Sequence, residues 1–518
     1  MQKITIDPIS RIEGHLKAEV VVDGGTVKEA NVSGTLFRGF ENILSQRDPR
    51  DAVIITQRVC GVCPICHATA SATAVDAALG IDAQVPDNGR ITRNIILGAN
   101  YLQSHILHFY ILAALDFVDV TAAADYAGDD LDLRTLKDFI AHGELGPFVP
   151  RYEGDYRLSK EQNILCTKHY LEALRARRTC HELLAVFGGK MPHNCGIVPG
   201  GVSTDVSADK VVTGLGKIQQ IRQFVEECYV PDVLAVAGVY SDYFGIGAGC
   251  GTLLSYGVFD LESKAGGPPE RTRFLPQGIT SNGGPAEPVD MTKIAENVKH
   301  SWYMNQTKPT FLDARTVSAP GKQGAYSWLK APRYDDKAAE VGPLARVMVA
   351  YKQGDKRIKS EVNGVASAAG IGLDKCYSVL GRHAARAIEA KVLCDAMSDW
   401  MLALKPGEPV SAPLVIPNEG EGIGFTEGPR GALCHAIRIK NKVIENYQLV
   451  VPTTWNASPK DANDQPGPIE QALIGCPVKD PANPFEVVRV IRSFDPCLAC
   501  AVHVMDGRGR ELGVYRIA

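Results

Sequence analysis

Two cysteine pairs of identical spacing stand near opposite ends of this chain: "RVCGVC", Arg58–Cys63, and "DPCLAC", Asp495–Cys500. A Cys-x2-Cys turn can aim both sulfurs at one ion, so two such turns can supply four thiolates to a shared centre. To do so the fold must bring segments more than four hundred residues apart into bonding range. That demand constrains the architecture more than any helix or strand between them. On the residues alone, three other readings stay open. One is a structural zinc site built from the same thiols. Another is an iron–sulfur cluster begun by the C-x2-C-x2-C rhythm of Cys60, Cys63 and Cys66, which lacks its fourth cysteine because Ala70 stands there. The last is a pair of redox dithiols.

Fourteen cysteines in 518 residues are too few for a disulfide scaffold, so those outside the motifs, Cys166 and Cys228 among them, read as small buried hydrophobes. The 55 basic and 59 acidic residues leave a net charge of −4, which argues against a nucleic-acid binder. The start, "MQKITIDPIS", has neither an apolar signal core nor twin arginines, so no export signal of its own is expected. The apolar stretch "ILHFYILAALDFV", Ile106–Val118, is interrupted by His108 and Asp116 and is too short to span a bilayer; it reads as a buried helix.

Residues 1–35 read as β structure, with a hairpin turn at Asp23-Gly24-Gly25. Asp48-Pro49 starts a short helix that runs into the Cys60 loop, and a second helix from about His67 to Leu79 stops at Gly80. Longer helical patterns cover about 90–118, 160–187, 207–241 and 374–404. The chain is Gly/Pro-rich between Gly257 and Ala331. Strand patterns return over Gly431–Thr453 around a turn at Asn441-Lys442, and "VHVMDGRGRELGVYRIA" alternates like a terminal hairpin. The expectation is a mainly helical α+β protein: one continuous core with small β-sheets at both ends.

Together with "RIEGH" (Arg11–His15), "FRGFE" (Phe37–Glu41), "HFYILAALDFVD" and "GPRGAL", the two cysteine motifs strongly resemble the large subunit of nickel–iron hydrogenases. The resemblance covers essentially the whole chain. "NGRITRNIILGANYLQSHILHFY" and "KAPRYDDKAAEVGPLAR" look most like the uptake branch that includes the nickel–iron–selenium enzymes, in which selenocysteine replaces the first cysteine of the last pair; here that residue is Cys497.

The resemblance implies the large-subunit fold, a single domain over 1–503, and reversible heterolytic cleavage of H2, mainly in the uptake direction. It implies nickel held by Cys60, Cys63, Cys497 and Cys500, with Cys63 and Cys500 bridging to an iron that carries carbon monoxide and cyanide. Arg430 would aim at the open position between the metals, with Asp116 and Asp495 orienting it, although Asp495 before Pro496 also suits a turn. Pro429, Leu433, Val451, Pro452 and Thr453 match positions around the diatomic ligands, though Thr453 also reads as an ordinary strand hydroxyl. His67 matches a residue that tunes a cysteine sulfur, or it is a packed core histidine. Cys497 would be the first proton acceptor and Glu13 the first relay. Val62 and Leu115 match a gas gate.

Glu41, the Leu449 carbonyl and His503 match a magnesium-like site. The tail 504–518 matches a segment cut off after His503 by a maturation endopeptidase, with a retained terminal hairpin as the alternative. Electrons would leave through an iron–sulfur small subunit, contacted near "GGKMPHNCGIVPGG", Gly188–Gly201. Any periplasmic or membrane-associated location would come through that partner. A hydrogen-sensing or non-catalytic relative, or a zinc- or cluster-stabilised structural protein, are the alternatives.

Overall fold

Each end of the chain forms a three-stranded antiparallel sheet, and a helical body fills the space between. A computed structural model describes residues 1–143, 145–306 and 310–501, the last two of these by backbone alone. The side chain of Cys500, all of His503 and the tail 504–518 therefore lie outside the described residues.

The N-terminal sheet pairs Gln2–Ile6 with Leu16–Asp23 and the latter with Thr26–Gly34. Its middle strand alternates buried and half-buried residues, as expected for a sheet with one face on the core. The hairpin turns at Gly24 and Gly25, whose φ values of 58° and 74° are open to glycine at little cost. At the other end, Glu419–Gly428, Gly431–Lys440 and Val443–Val450 form the second sheet. Asn441 and Lys442 make its turn with φ of 53° and 65°.

The helices Asp87–Ile106, Lys160–Gly188, Ala208–Phe224 and Val379–Ala403 pack on one another as the body. Lys160–Gly188 begins in a capping box: Gln162 donates its backbone N–H to the Ser159 hydroxyl while its side chain accepts from the Ser159 N–H. Two expected helices are shorter as α-helix than their periodicity suggests. After Ile106 the chain widens into a π-helix, Leu107–Ala113, and then a 3-10 turn, Ala114–Asp116. After Phe224 it widens again over Val225–Tyr229 before resuming as Val230–Val239. There Pro231 has no N–H to give to the carbonyl four residues back, and the wider turn absorbs the missing bond. The helix expected from about 374 begins at Val379, capped by Ser378, after a 3-10 turn.

Two differences at the C-terminal sheet matter for the site. Its first strand, "EGEGIGFTEG", escapes a propensity reading because glycine is a poor strand former. Thr453 is not on a strand; it lies in the short helix Pro452–Asn456, which Pro452 opens.

The glycines have a packing reason. A Cβ on Gly420, Gly422 or Gly424 would stand 2.4, 2.1 or 2.1 Å from the carbonyl oxygens of Ala78, Ala74 and Ala70. These alanines are spaced by four along the helix Pro64–Leu79, so one strand face rests directly on one helix face. This contact ties the helix that starts at the first cysteine pair to the sheet that carries Arg430. Gly422→Val is therefore expected to cost about 1–3 kcal/mol or more, because the obstacle is backbone. A lowered thermal midpoint with reduced metal content in the purified protein would show it.

Candidate metal centre

The first cysteine loop lies between a 3-10 turn, Gln57–Val59, and the helix Pro64–Leu79, of which Cys63 is the N-cap. The backbone N–H groups of Val62 and Cys63 point at Cys60 Sγ from 3.2 and 3.4 Å. Donors of this kind, together with the positive end of a helix, favour a thiolate. Asn100 and Gln103 hold the loop by donating to the Val62 carbonyl at 3.0 and 2.7 Å.

The second cysteine segment comes to the first. Cys497 Sγ lies 3.4 Å from Cys60 Sγ and 3.8 Å from Cys63 Sγ. All three thiols are buried and none is in a disulfide. About 2.3 Å metal–sulfur bonds in a tetrahedral arrangement put sulfurs about 3.8 Å apart, so the set suits one first-row ion. A second grouping, Cys63 with Cys66 and His67, also lies within ligand range. The Cys66 thiol, however, donates to the Cys63 carbonyl at 2.9 Å, and Ala70 faces Gly424 of the C-terminal sheet. The first grouping is the better ligand set.

Glu13 joins the two ends. Its backbone pairs with the C-terminal segment, with Leu498 N–H donating to the Glu13 carbonyl at 2.7 Å. Its carboxylate accepts from Cys497 Sγ at 3.1 Å and from the Ala499 N–H at 2.9 Å. Burial and then the charge of Cys60 raise its pKa to about 7, against the lowering effect of those two bonds. Such a carboxyl can take or release a proton near neutrality. Gly14 permits the approach: with φ of 81°, a Cβ there would meet Ala499 N and Leu498 Cβ at 2.7 Å.

Arg430 follows the strand Glu419–Gly428 in the turn before Gly431, and it is buried. Its Nε donates to the Asp495 carbonyl at 2.9 Å, and the Asp495 carboxylate stands 3.0 Å away as an ion pair. Nη2 is the atom in that ion pair, and neither Nη makes an aligned hydrogen bond among the described residues. Burial disfavours its charge, yet Asp495 and the thiolates of Cys497, Cys63 and Cys60 more than offset this and hold it protonated. Buried donors left open beside three thiols are what a bound inorganic centre with acceptor ligands would fill. Asp495 itself takes φ of 56°, an uncommon backbone for a non-glycine residue.

Other expected residues that the structure describes have, in several cases, partners different from those anticipated. Asp116 is gripped by Arg11 at 2.6 Å and Arg492 at 2.5 Å; among the described residues no hydrogen bond joins it to Arg430. The Thr453 hydroxyl accepts from the Cys497 N–H at 2.9 Å. Pro429, Leu433, Val451 and Pro452 are all buried, and the Pro429 carbonyl accepts from Arg346 at 2.9 Å. His67 Nδ1 pairs with His435 Nε2 at 3.1 Å, and burial lowers the His67 pKa to about 4, so its ring is neutral. Leu115 is buried and Val62 half-buried, both within the main apolar core.

Glu41, in the helix Phe40–Leu44, has its pKa raised by burial against the pull of the Lys330 ammonium. Lys330 also reaches Glu296 at 3.2 Å and Gln448, the neighbour of Leu449, at 3.3 Å. In the loop Gly188–Gly201, Asn194 and Gln57 exchange hydrogen bonds of 2.9 and 3.1 Å, so the loop is anchored just before the first cysteine turn.

Arg38 is the residue that sequence reasoning passed over. It stands in "FRGFE", where only Glu41 carried a role. Its guanidinium donates to the carbonyls of Arg58 at 3.2 Å and Ala499 at 2.8 Å, and also to that of Val59, and so clamps both cysteine segments. A lone arginine in a mixed motif gives no such signal.

Three convergent buried thiols with an adjacent carboxyl and a charged guanidinium make a ligand set suited to a thiolate-held transition-metal ion. A family profile described as nickel-dependent hydrogenase matches residues 38–503, and one described as HoxL-like matches 3–34. The chain is 44% identical to the periplasmic [NiFeSe] hydrogenase large subunit of Desulfomicrobium baculatum, over 99% of this chain and 97% of that protein. It is 38% identical to the hydrogenase-2 large chain of Escherichia coli K12, over 99% of each. The Ni-Fe-Se hydrogenase of D. vulgaris Hildenborough in its as-isolated oxidised state superposes with a TM-score of 0.87 at 44% identity, covering 97% of this chain and all of that one. The chain belongs to the nickel-dependent hydrogenase family, as a large subunit, and is an oxidoreductase.

Removing the clamp leaves the thiols intact but loosens their approach. Arg38→Ala is expected to cost about 1.5–3 kcal/mol for charge-assisted bonds lost. Purified protein should retain substantially less nickel per chain than the parent, measured by mass spectrometry.

Proposed function

We propose that this subunit cleaves H2 heterolytically, chiefly in the uptake direction, and passes the electrons to an iron–sulfur small subunit. The single observation that carries this reading is the meeting of Cys60, Cys63 and Cys497 from opposite ends of the chain, with Glu13 at 3.1 Å from Cys497 Sγ. Nickel would be held by Cys60, Cys63, Cys497 and Cys500, and an iron bearing carbon monoxide and cyanide would share Cys63 and Cys500. When bound, that centre supplies the electron-rich open position at which H2 is split.

The protein's own groups handle the charge. Cys497 Sγ accepts the proton released on cleavage and hands it across its existing contact to Glu13, whose affinity near neutrality allows passage in either direction. Arg430 would turn its Nη edge toward negative charge at the centre, with Asp495 holding it there. Thr453, with its oxygen engaged by the Cys497 N–H, keeps a hydroxyl proton to donate to a cyanide nitrogen. His67, whose Nδ1 pairs with His435, would tune a cysteine sulfur from beside the centre. Buried Pro429, Leu433, Val451 and Pro452 exclude water, and Val62 and Leu115 admit only a small apolar gas.

A magnesium-like ion would take Glu41 and the Leu449 carbonyl, with His503 completing it. Removal of 504–518 after His503 by an endopeptidase would let the Cys497 segment close over the loaded metals. The named relatives are large subunits or chains, which supports a small-subunit partner, docked near Gly188–Gly201. One relative is named as periplasmic, and no helix among the described residues is long and apolar enough to cross a membrane. A periplasmic or membrane-facing site reached through the partner fits both.

Glu13→Gln separates relay from cleavage. Steady H2 oxidation is expected to fall at least a hundredfold, about what a positioned proton-transfer group contributes. Ortho/para-H2 interconversion, which needs no proton to leave the site, should persist. Loss of both, or of neither, would overturn the relay. Metal analysis with infrared spectroscopy tests the centre itself: nickel and iron near one each with carbon monoxide and cyanide bands are expected, and zinc alone would refute it.

A further inference from the structure

A second cluster of ligand side chains lies on the helix Lys160–Gly188 and the facing π-helical turn Val225–Tyr229. One ring nitrogen of His169, a carboxylate oxygen of Glu172 and Sγ of Cys228 lie within 4.8 Å of one another. His169 and Glu172 are three apart on one helix face, so they project side by side. Asp232, one turn beyond Cys228, orients the group: it accepts from His169 Nδ1 at 2.9 Å and from the Tyr110 hydroxyl at 2.7 Å. Cys228 Sγ lies 3.6 Å from Glu172 Oε2.

We propose that His169, Glu172 and Cys228 form a separate site for a borderline-soft divalent cation of the zinc type, with Asp232 as the carboxylate that positions the histidine.

The donor set decides the class. Thiolate, imidazole and carboxylate together suit zinc-like ions, whereas calcium and magnesium take oxygen alone. With Nδ1 held by Asp232, Nε2 is the nitrogen His169 would offer the ion, and a carboxylate behind a ligating histidine is the usual support for such a ligand. Access is available, since the Glu172 side chain is 34% exposed while that of His169 is 12%. Cys228 Sγ and Glu172 Oε2 already stand at ligand spacing, and the histidine nitrogen need draw in by about 1 Å at most. Without an ion, burial and then the charges of Glu172 and Asp232 push the Cys228 thiol up to about 12, so loading releases its proton. Lys168, 3.7 Å from Glu172, would give way; it has Asp130 at 3.5 Å as a second partner. None of these residues belongs to the thiol centre described above, so the site stands or falls independently of it.

The nickel-loaded heterodimer, dialysed against EDTA, is exposed to Zn2+, washed, and examined by mass spectrometry and X-ray absorption at the zinc edge, which ignores nickel and iron. The expected result is one zinc retained per large subunit, with a sulfur scatterer at about 2.3 Å. Cys228→Ser should remove that scatterer. Glu172→Gln, a half-exposed change that spares the core, should weaken retention at least tenfold. Failure of the parent to retain zinc, a zinc shell without sulfur, or equal retention by Glu172→Gln would each overturn the assignment.

Discussion

The pairing of the chain's two ends at Glu13 and Cys497 is the contact on which the rest depends. It is a backbone interaction first: a parallel bridge between Glu13 and Cys497, with Leu498 donating to Glu13. The approach is close enough that only glycine fits at position 14. Because the backbones are fixed, the Glu13 carboxylate and the Cys497 thiol have little freedom to be anywhere but against each other. Arg38 adds a second tie, from the Ala499 carbonyl to the carbonyls of the first cysteine loop. Two segments that share no local structure are thereby held as one site.

The surroundings explain how a charged centre survives burial. Around it lie arginines that are almost wholly buried, each matched to acids or carbonyls. Arg346 bridges Glu389 at 2.5 Å and Glu427 at 2.7 Å, and also holds the Pro429 carbonyl beside Arg430. Arg492 and Arg11 share Asp116, and Arg492 also holds the Ser10 carbonyl at 2.8 Å, next to "RIEGH". Buried ion pairs contribute little net stability, because desolvation cancels most of the attraction. What they provide here is position: each connects a segment of the site to the helical body. Arg430 differs in facing the three thiols, with Asp495 as its one carboxylate neighbour among the ion pairs of the described residues.

Particular elements show how far the residues could be read in order. The N-terminal hairpin, the capped helices and the Asn441-Lys442 turn were legible, because turn and cap chemistry is local. The strand Glu419–Gly428 was not, since its glycines answer to the carbonyls of Ala70, Ala74 and Ala78 on a helix about 350 residues earlier. The π-helical turns were hidden within otherwise good helical periodicity. At the site, Cys60, Cys63, Cys497 and Glu13, which the fold brings together, stood out through their motifs. Asp116 was placed near Arg430 on resemblance, yet its bonds run to Arg11 and Arg492, because carboxylates pair with whichever cations the packing delivers.

The amino-acid order by itself determined the kinds of ligand, their spacing within each turn, and where helices could start and stop, since all of these depend on neighbours within a few residues. The tertiary structure alone decided which thiols meet, that Glu13 is pushed up to a pKa of about 7, that Arg430 is buried among thiols with Asp495, and that Arg38 clamps the two ends. The reason is physical: bonding preference is a property of a side chain, whereas desolvation and charge environment are set by what folds against it from elsewhere in the chain.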